Sequence, residues 1–369
     1  MRVLTFLLVL LFQMVSAQEL ALVRQDGKFG YINKAGAFVI EPKFKVAKNF
    51  SEGLAAAQEN GKWGFVNPKG EWVIQPAFSD AKYFNSGICV VEKDKQWFYI
   101  NKKGETLKMP ASEKFFDFEE GVAFIKQNEK IGIINTKGDV IVPPTYQIIK
   151  SFEDGYARVK NNDKWGIIDK TGKVVVAIDY EDVGNLFKNT TWAKKDGAFG
   201  LVTANKFSPI EGVDKIWDFH SEDLTYVKKG EKVGFIDLKG KWVIEPKFDK
   251  ARAFSKNLAP VCEGKKWGYI NLKGEYVIQP TYADAEVFSA DGLAPVKDKE
   301  WGFVDLTGKM VIPTNYQITA GGFGIFRKEE KGFVGGLARV KSGKQWGFIK
   351  TDGVVLGGKW FENAELFQK

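Results

Sequence analysis

The sequence predicts an all-β fold: a tandem array of ten units of about 34 residues, each a three-stranded antiparallel meander. The first observation behind this is spacing. Phe29, Trp63, Trp97, Ile131, Trp165, Phe199, Val233, Trp267 and Trp301 follow one another in eight steps of 34 residues, and Trp346 comes 45 residues after the last. Glycine follows nine of these ten anchors, Trp97 being followed by Phe98. The second observation is a turn signature. In eight units an Asn or Asp is followed three residues later by Gly, as in Asn67–Gly70 and Asp237–Gly240. An Asx side chain bonds the backbone two residues on and Gly tolerates positive φ, so the pair closes a hairpin. The third is two-sided burial. Trp63 and Phe65 alternate with Gly64 and Val66, and a sheet apolar on both faces needs a neighbour on each.

The elements follow in chain order. Residues 1–17 are expected to be a signal peptide. Arg2 gives the positive start, Val3 to Phe12 the apolar run and Val15-Ser16-Ala17 the cleavage site. That run is shorter than the roughly 20 residues of a membrane span. Arg2 is the only charged residue lost with it, taking the net charge from +8 to +7. The array then occupies 18–369, and an exported protein is expected, in the periplasm, on the cell surface or outside the cell. Within a unit, Trp63 to Asn67 is short, aromatic and β-branched, which suits a strand. The returning strand, Glu71 to Ile74, ends at Pro76, which has no N–H for a ladder. A ten-residue connection with Phe78, Ala81 and Phe84 reads as a packed irregular segment. Gly87 to Val91 is the third strand. Because Leu20-Ala21-Leu22-Val23 is of this third type, ten whole units fit between the termini, and the frame does not require a shared closing blade. Propellers typically have about four to eight four-stranded blades. An open superhelical stack is therefore favoured, with a closed β-propeller-like ring as the alternative. An 11-residue excess forms an insertion around 321–336.

Composition narrows the chemistry. Acidic and basic residues alternate, giving a mildly cationic surface and not a nucleic-acid groove. A plain solvated charged face is the favoured reading of this balance, and attraction to acidic cell-surface polysaccharide is the alternative. No Cys/His spacing suits a metal and no Gly-rich phosphate loop is present, so no cofactor is implied. Cys89 and Cys262 lie five repeats apart and are expected to be two buried thiols. Membrane insertion is not expected, and the chain is read as a monomer.

Gly61-Lys62-Trp63-Gly64-Phe65-Val66-Asn67 and Lys266-Trp267-Gly268-Tyr269-Ile270-Asn271, with the trailing Val-Ile-x-Pro and Gly-Leu-Ala pieces, resemble the bacterial WG-repeat (KWG) family. The resemblance covers nearly all of 18–369. It implies a β-rich, commonly exported repeat protein and carries no catalytic residues. Repeat three departs at Phe98, repeats four and seven at Ile131 and Val233, and repeat six has Lys206 where the turn Gly is expected.

Candidate site residues lie where the pattern falters. His220, the one histidine, falls 34 residues before Phe254 and is read as occupying a core aromatic slot. With Asp214, Trp217 and Asp218 it makes the one locally unusual cluster. The anchor tryptophans are assigned to packing, because Ile131 and Val233 fill the same slot. Trp192, Trp217 and Trp360 stand outside the repeated slots and are binding candidates, as are Phe323 and Arg327 in the insertion. The expected function is an exported, non-enzymatic scaffold that binds a protein or a glycan over an extended surface. The alternatives are a carbohydrate-active enzyme using scattered carboxylates and a purely structural envelope or matrix protein.

Overall fold

The computed structural model describes residues 18–317 and 332–369. Residues 1–17, expected from the sequence to be a signal peptide, and most of the insertion, with Phe323 and Arg327, lie outside the described residues. Ten small antiparallel sheets stand in a ring, forming a ten-bladed β-propeller. The all-β expectation holds; among the described residues the one helical piece is a 3₁₀ turn at Leu356–Gly358.

The closed ring, the alternative in the sequence reading, replaces the favoured open array for two reasons. First, the connecting segment is itself a strand. Blade 2 contains Ala47–Ser51, Leu54–Glu59, Lys62–Val66 and Trp72–Phe78, an up-and-down meander of four. In blade 3 the first strand is Asp80–Ala81, and a bridge from Asn85 to Ile88 continues its pairing. Blades 4 and 10 show three strands among the described residues and the other eight show four. Second, blade 1 is shared. Its second, third and fourth strands are Ala21–Gln25, Lys28–Ile32 and Phe38–Phe44, and its first is the C-terminal Asn363–Ala364. Backbone bonds extend this latch: Glu362 donates to Arg24, Glu365 to Leu22, and Leu20 and Gln368 exchange a pair at 2.8 and 2.9 Å. The repeat frame does not require a shared closing blade, yet the structure has one.

The glycine after each anchor has a steric cause. Trp63 pairs with Phe78 but Phe65 pairs with Ile74, so the fourth strand carries two extra residues and bulges over the sheet. A Cβ on Gly64 would lie 2.6 Å from the Ile74 carbonyl oxygen and 2.7 Å from the Pro76 nitrogen. The approaching backbone belongs to the same blade. Blade 3 has Phe98 at this position because its fourth strand shrinks to Thr106–Leu107 and never crosses it. In blade 6 the missing turn Gly is also explained. Thr203 pairs with Lys206 around a two-residue turn, with Ala204 and Asn205 at φ 50° and 60°.

Two faces of the ring differ. One carries the first hairpin of each blade and the Asx turns, where Asn67 Oδ1 accepts from Lys69 N at 3.0 Å and Glu71 N at 3.1 Å. The other carries the crossings between blades and the middle hairpins. Side chains of one first strand reach the first strand of the next blade, Lys82 to Asp117 at 3.2 Å and Arg252 to Asp284 at 3.0 Å. Only the inside of the ring brings such strands close enough, so the first strands surround the axis. The fourth strands form the rim, with Val73, Val243 and Val277 exposed there.

Cys89 and Cys262 are free and buried, at 1% and 3% exposure. Among the described residues no helix is long and apolar enough to cross a membrane.

Candidate functional site

Blades 2, 5 and 8 share one arrangement on the face turned toward the next blade. A cation in the first strand lies over the anchor tryptophan of its own blade: Lys48 over Trp63 at 4.8 Å, Lys150 over Trp165 at 5.9 Å and Arg252 over Trp267 at 4.5 Å. Backbone bonds fix the equivalence, since Lys150, Arg252 and Trp217 each donate to the same second-strand position, at Arg158, Pro260 and Tyr226.

Blades 4 and 7 invert this. Their anchors are the aliphatic Ile131 and Val233. The first-strand position holds Phe116 or Trp217, and the second strand adds Phe124 or Tyr226. Phe116 meets Phe124 edge-on at 5.8 Å, and Trp217 stacks on Tyr226 at 4.5 Å with 20° between planes. The aromatic has moved from the third strand to the first. Space opens beside it: a cleft borders each of these two blades.

The larger cleft, about 640 Å³, runs from blade 7 to blade 9 on the crossing face. Trp217, Tyr226, Lys228 and Val233 form one wall, and Lys250, Arg252, Trp267 and Asp284 the other. Arg252 is fixed by Asp284 at 3.0 Å and Glu286 at 3.4 Å while lying over Trp267. Asp249 accepts from Lys232 Nζ and Gly264 N, each at 2.6 Å, and the lysine bond holds its carboxyl below the usual range. Burial pushes the Tyr226 hydroxyl up to about 12; the Asp218 charge adds to this and Arg252 opposes it. Both carboxylates on the cleft wall are therefore engaged, and Tyr226 stays protonated at neutral pH.

The sequence cluster around His220 comes apart in space. Residues 214–220 run along the first strand of blade 7, about 20 Å end to end at ~3.3 Å per residue. At the crossing end, Asp214 caps Gly230 N at 2.6 Å, as Asp249 caps Gly264 N and Glu181 caps Gly197 N at 2.8 Å. It belongs to the repeat. Trp217 faces the cleft. Asp218 points to the opposite side, where its Oδ1 accepts from Trp192 Nε1 at 2.7 Å and Asn185 N at 3.0 Å in blade 6. His220 is exposed and does not fill the core slot; Phe219, 4% exposed, does. The register moves by one because the following hairpin has three residues, Ser221-Glu222-Asp223, where blade 3 has Ser86-Gly87.

Trp192 is accordingly an inter-blade strut. Trp360 also packs: its ring lies where a Cβ on Gly347 would approach to 2.8 Å, replacing the fourth-strand bulge in blade 10, and it stacks on Tyr316 at 6.3 Å. Of the described candidates, Trp217 is the one that lines either of these two clefts. Sequence reasoning missed Tyr226, Arg252, Lys228 and Lys250. The available signal was the pairing of an aliphatic anchor with an aromatic in the preceding first strand, at Ile131 with Phe116 and Val233 with Trp217.

Comparison with known proteins agrees on the repeat. No curated protein sequence matches the chain. Among solved structures it is similar to a eukaryotic initiation factor (11% identity, TM-score 0.46, 79% of this chain and 95% of that one). It is also similar to the tricorn protease (14%, TM-score 0.24, 94% and 44%). A third is PorZ, a surface component of the type-IX secretion system of Porphyromonas gingivalis (11%, TM-score 0.27, 94% and 62%). The family model described as WG containing repeat matches residues 29–63, 63–97, 97–130, 131–165, 165–197, 234–267, 267–300 and 301–331, and the chain belongs to that family.

Proposed function

We propose that this WG-repeat propeller is an exported, non-enzymatic binding module that takes a glycan in the cleft between blades 7 and 8. One observation carries the reading: Trp217 and Tyr226 leave the repeated packing and line a cleft of about 640 Å³ together with Trp267, charged groups and backbone. Apolar ring faces beside fixed polar groups suit a sugar, whose faces are apolar and whose edge carries hydroxyls. The non-enzymatic part is supported by the state of the carboxylates. Asp249 and Asp284 are held by Lys232 and Arg252, and a general acid needs a carboxyl kept protonated. Export is supported by Arg2, the Val3 to Phe12 run and Val15-Ser16-Ala17.

A glycan array probed with residues 18–369 and with Trp217→Ala tests the reading. Binding that Trp217→Ala abolishes, with no new reducing ends, is the expected result. New reducing ends would make the chain an enzyme, and glycan binding indifferent to Trp217 would move the site elsewhere. Amino-terminal sequencing after expression in an exporting host checks cleavage after Ala17.

A further inference from the structure

We infer that the blade 7–8 cleft selects an acidic glycan, whose carboxylates are taken by Lys215, Lys228 and Lys250 around Trp217. This rests on the proposed glycan-binding role of the cleft and adds the ligand's charge. Lys215 and Lys228 are direct partners across the first two strands of blade 7. Like charges directly opposite destabilise a strand pair. The corresponding pairs in blades 6 and 9 are of opposite sign, Asp182 with Lys194 and Asp284 with Lys297. Blade 3 sets Asp80 against Glu92, but Lys48 approaches Asp80 at 3.9 Å and Ser79 Oγ bonds Glu92 at 3.0 Å.

No such relief reaches blade 7. Among the described residues Lys215, Lys228 and Lys250 have no carboxylate within ion-pair distance, whereas Lys232 and Arg252 are committed to Asp249, Asp284 and Glu286. Lys228 and Lys250 lie on opposite walls of the cleft, and the Lys215 ammonium rests over the Trp217 ring at 4.5 Å. The exposed Lys215 is displaced easily, which leaves the indole face to a sugar ring and turns the ammonium toward that sugar's carboxylate. An acidic peptide would satisfy the charges but leave the aromatic wall without a complementary face, so a uronate-type polymer is the better fit.

Calorimetric titration of residues 18–369 with galacturonate oligomers, the same oligomers after carboxyl reduction, and poly-L-glutamate tests this. The galacturonate oligomers should bind, weakening as salt rises. Carboxyl reduction, or the double change Lys228→Ala with Lys250→Ala, should each weaken binding about tenfold or more, equivalent to about 1.4 kcal/mol. Lys228→Glu should raise Tm by pairing with Lys215 while abolishing binding, so loss of binding there cannot come from misfolding. Equal binding of reduced oligomers, or an unaffected double variant, overturns the charge selection but leaves the cleft standing if Trp217→Ala still abolishes binding. Poly-L-glutamate binding as tightly as galacturonate overturns the glycan assignment in favour of an acidic peptide. Galacturonate binding that Trp217→Ala leaves intact overturns the cleft itself, and no binding of any glycan overturns both.

Discussion

Gly64→Ala should damage the protein far more than Gly61→Ala, three residues away. At position 64 the new Cβ meets the Ile74 carbonyl oxygen at 2.6 Å and the Pro76 nitrogen at 2.7 Å. That is roughly 1 Å short of the 3.5–4.0 Å at which carbon contacts are attractive. Both obstacles are backbone, so no rotamer change relieves them. The bulge must lift, releasing the pairing of Trp63 with Phe78 and of Phe65 with Ile74. Two or three ladder bonds at about 1 kcal/mol each, plus partial exposure of Phe78 at about 1.5 kcal/mol, give a loss of roughly 3–5 kcal/mol. A Cβ at Gly61 meets nothing within 4 Å, and its φ of 77° alone sets the penalty, about 1–2 kcal/mol. Blades need not melt together in a repeat protein. Hydrogen exchange on peptides spanning 62–78 is therefore the primary assay, with urea unfolding followed by tryptophan fluorescence beside it. If Gly64→Ala leaves exchange in 62–78 unchanged, or if Gly61→Ala is the worse variant, the steric account of the motif is wrong.

Three further predictions follow from the ring and its buried groups. Deleting residues 359–369 removes Phe361, Ala364 and Phe367 from the closing core and should open the ring, read as a larger radius of gyration in small-angle scattering with a lower Tm. Asp117 is buried beside Lys82, and burial outweighs the lysine, raising its carboxyl above the ordinary value. The folded state therefore holds this proton more tightly than the unfolded chain, and the site's penalty develops as pH rises from the unfolded value through the folded one. Asp117→Asn should melt higher than the wild type at pH 7, with the gap closing toward pH 4; a lower Tm at pH 7 would contradict this. Cys89 and Cys262 should resist thiol reagents in the native state and react on unfolding, since burial raises both thiols and leaves little thiolate.

Much of the blade was legible because its signals are local. The Asx–Gly turns depend on four consecutive residues, and Asn67 to Gly70 reads the same in sequence and in space. The need for glycine at position 64 was legible as close approach, though not which backbone approaches. The first strand was not legible: Asp80–Ala81 pairs over two residues only, too few for an alternation to show. Ring closure turned on that strand and on Asn363–Ala364 docking beside Ala21–Gln25, a contact between the chain ends that no periodicity encodes. The candidate site was half legible. Trp217 stood out as a tryptophan off the repeat, but its neighbours in sequence are not its neighbours in space. Along an extended strand alternate side chains part to opposite faces, which sent Asp218 to blade 6 and Trp217 to the cleft.

The exchange of aromatic and partner in blades 4 and 7 separates packing from binding, because the two make opposite demands on one double variant. Val233→Trp alone forces an indole into a position 5% exposed beside Trp217, and overpacking of this kind costs about 1–3 kcal/mol. Trp217→Lys alone strips Tyr226 of its stacked partner and leaves Val233 facing a void, a loss of roughly 3 kcal/mol on the scale of large-to-small changes. Together they rebuild the arrangement of blade 8, where Arg252 lies over Trp267 at 4.5 Å. The double variant should therefore be more stable than the sum of the single losses allows, with a coupling of about 1–3 kcal/mol by urea unfolding. Ligand binding should not return with it, since the cleft is then filled as in an ordinary blade. Additive losses would mean that Trp217 and Val233 are unrelated substitutions. Recovered binding alongside recovered stability would mean that the aromatic lining of the cleft is packing, and that recognition lies with the charges alone.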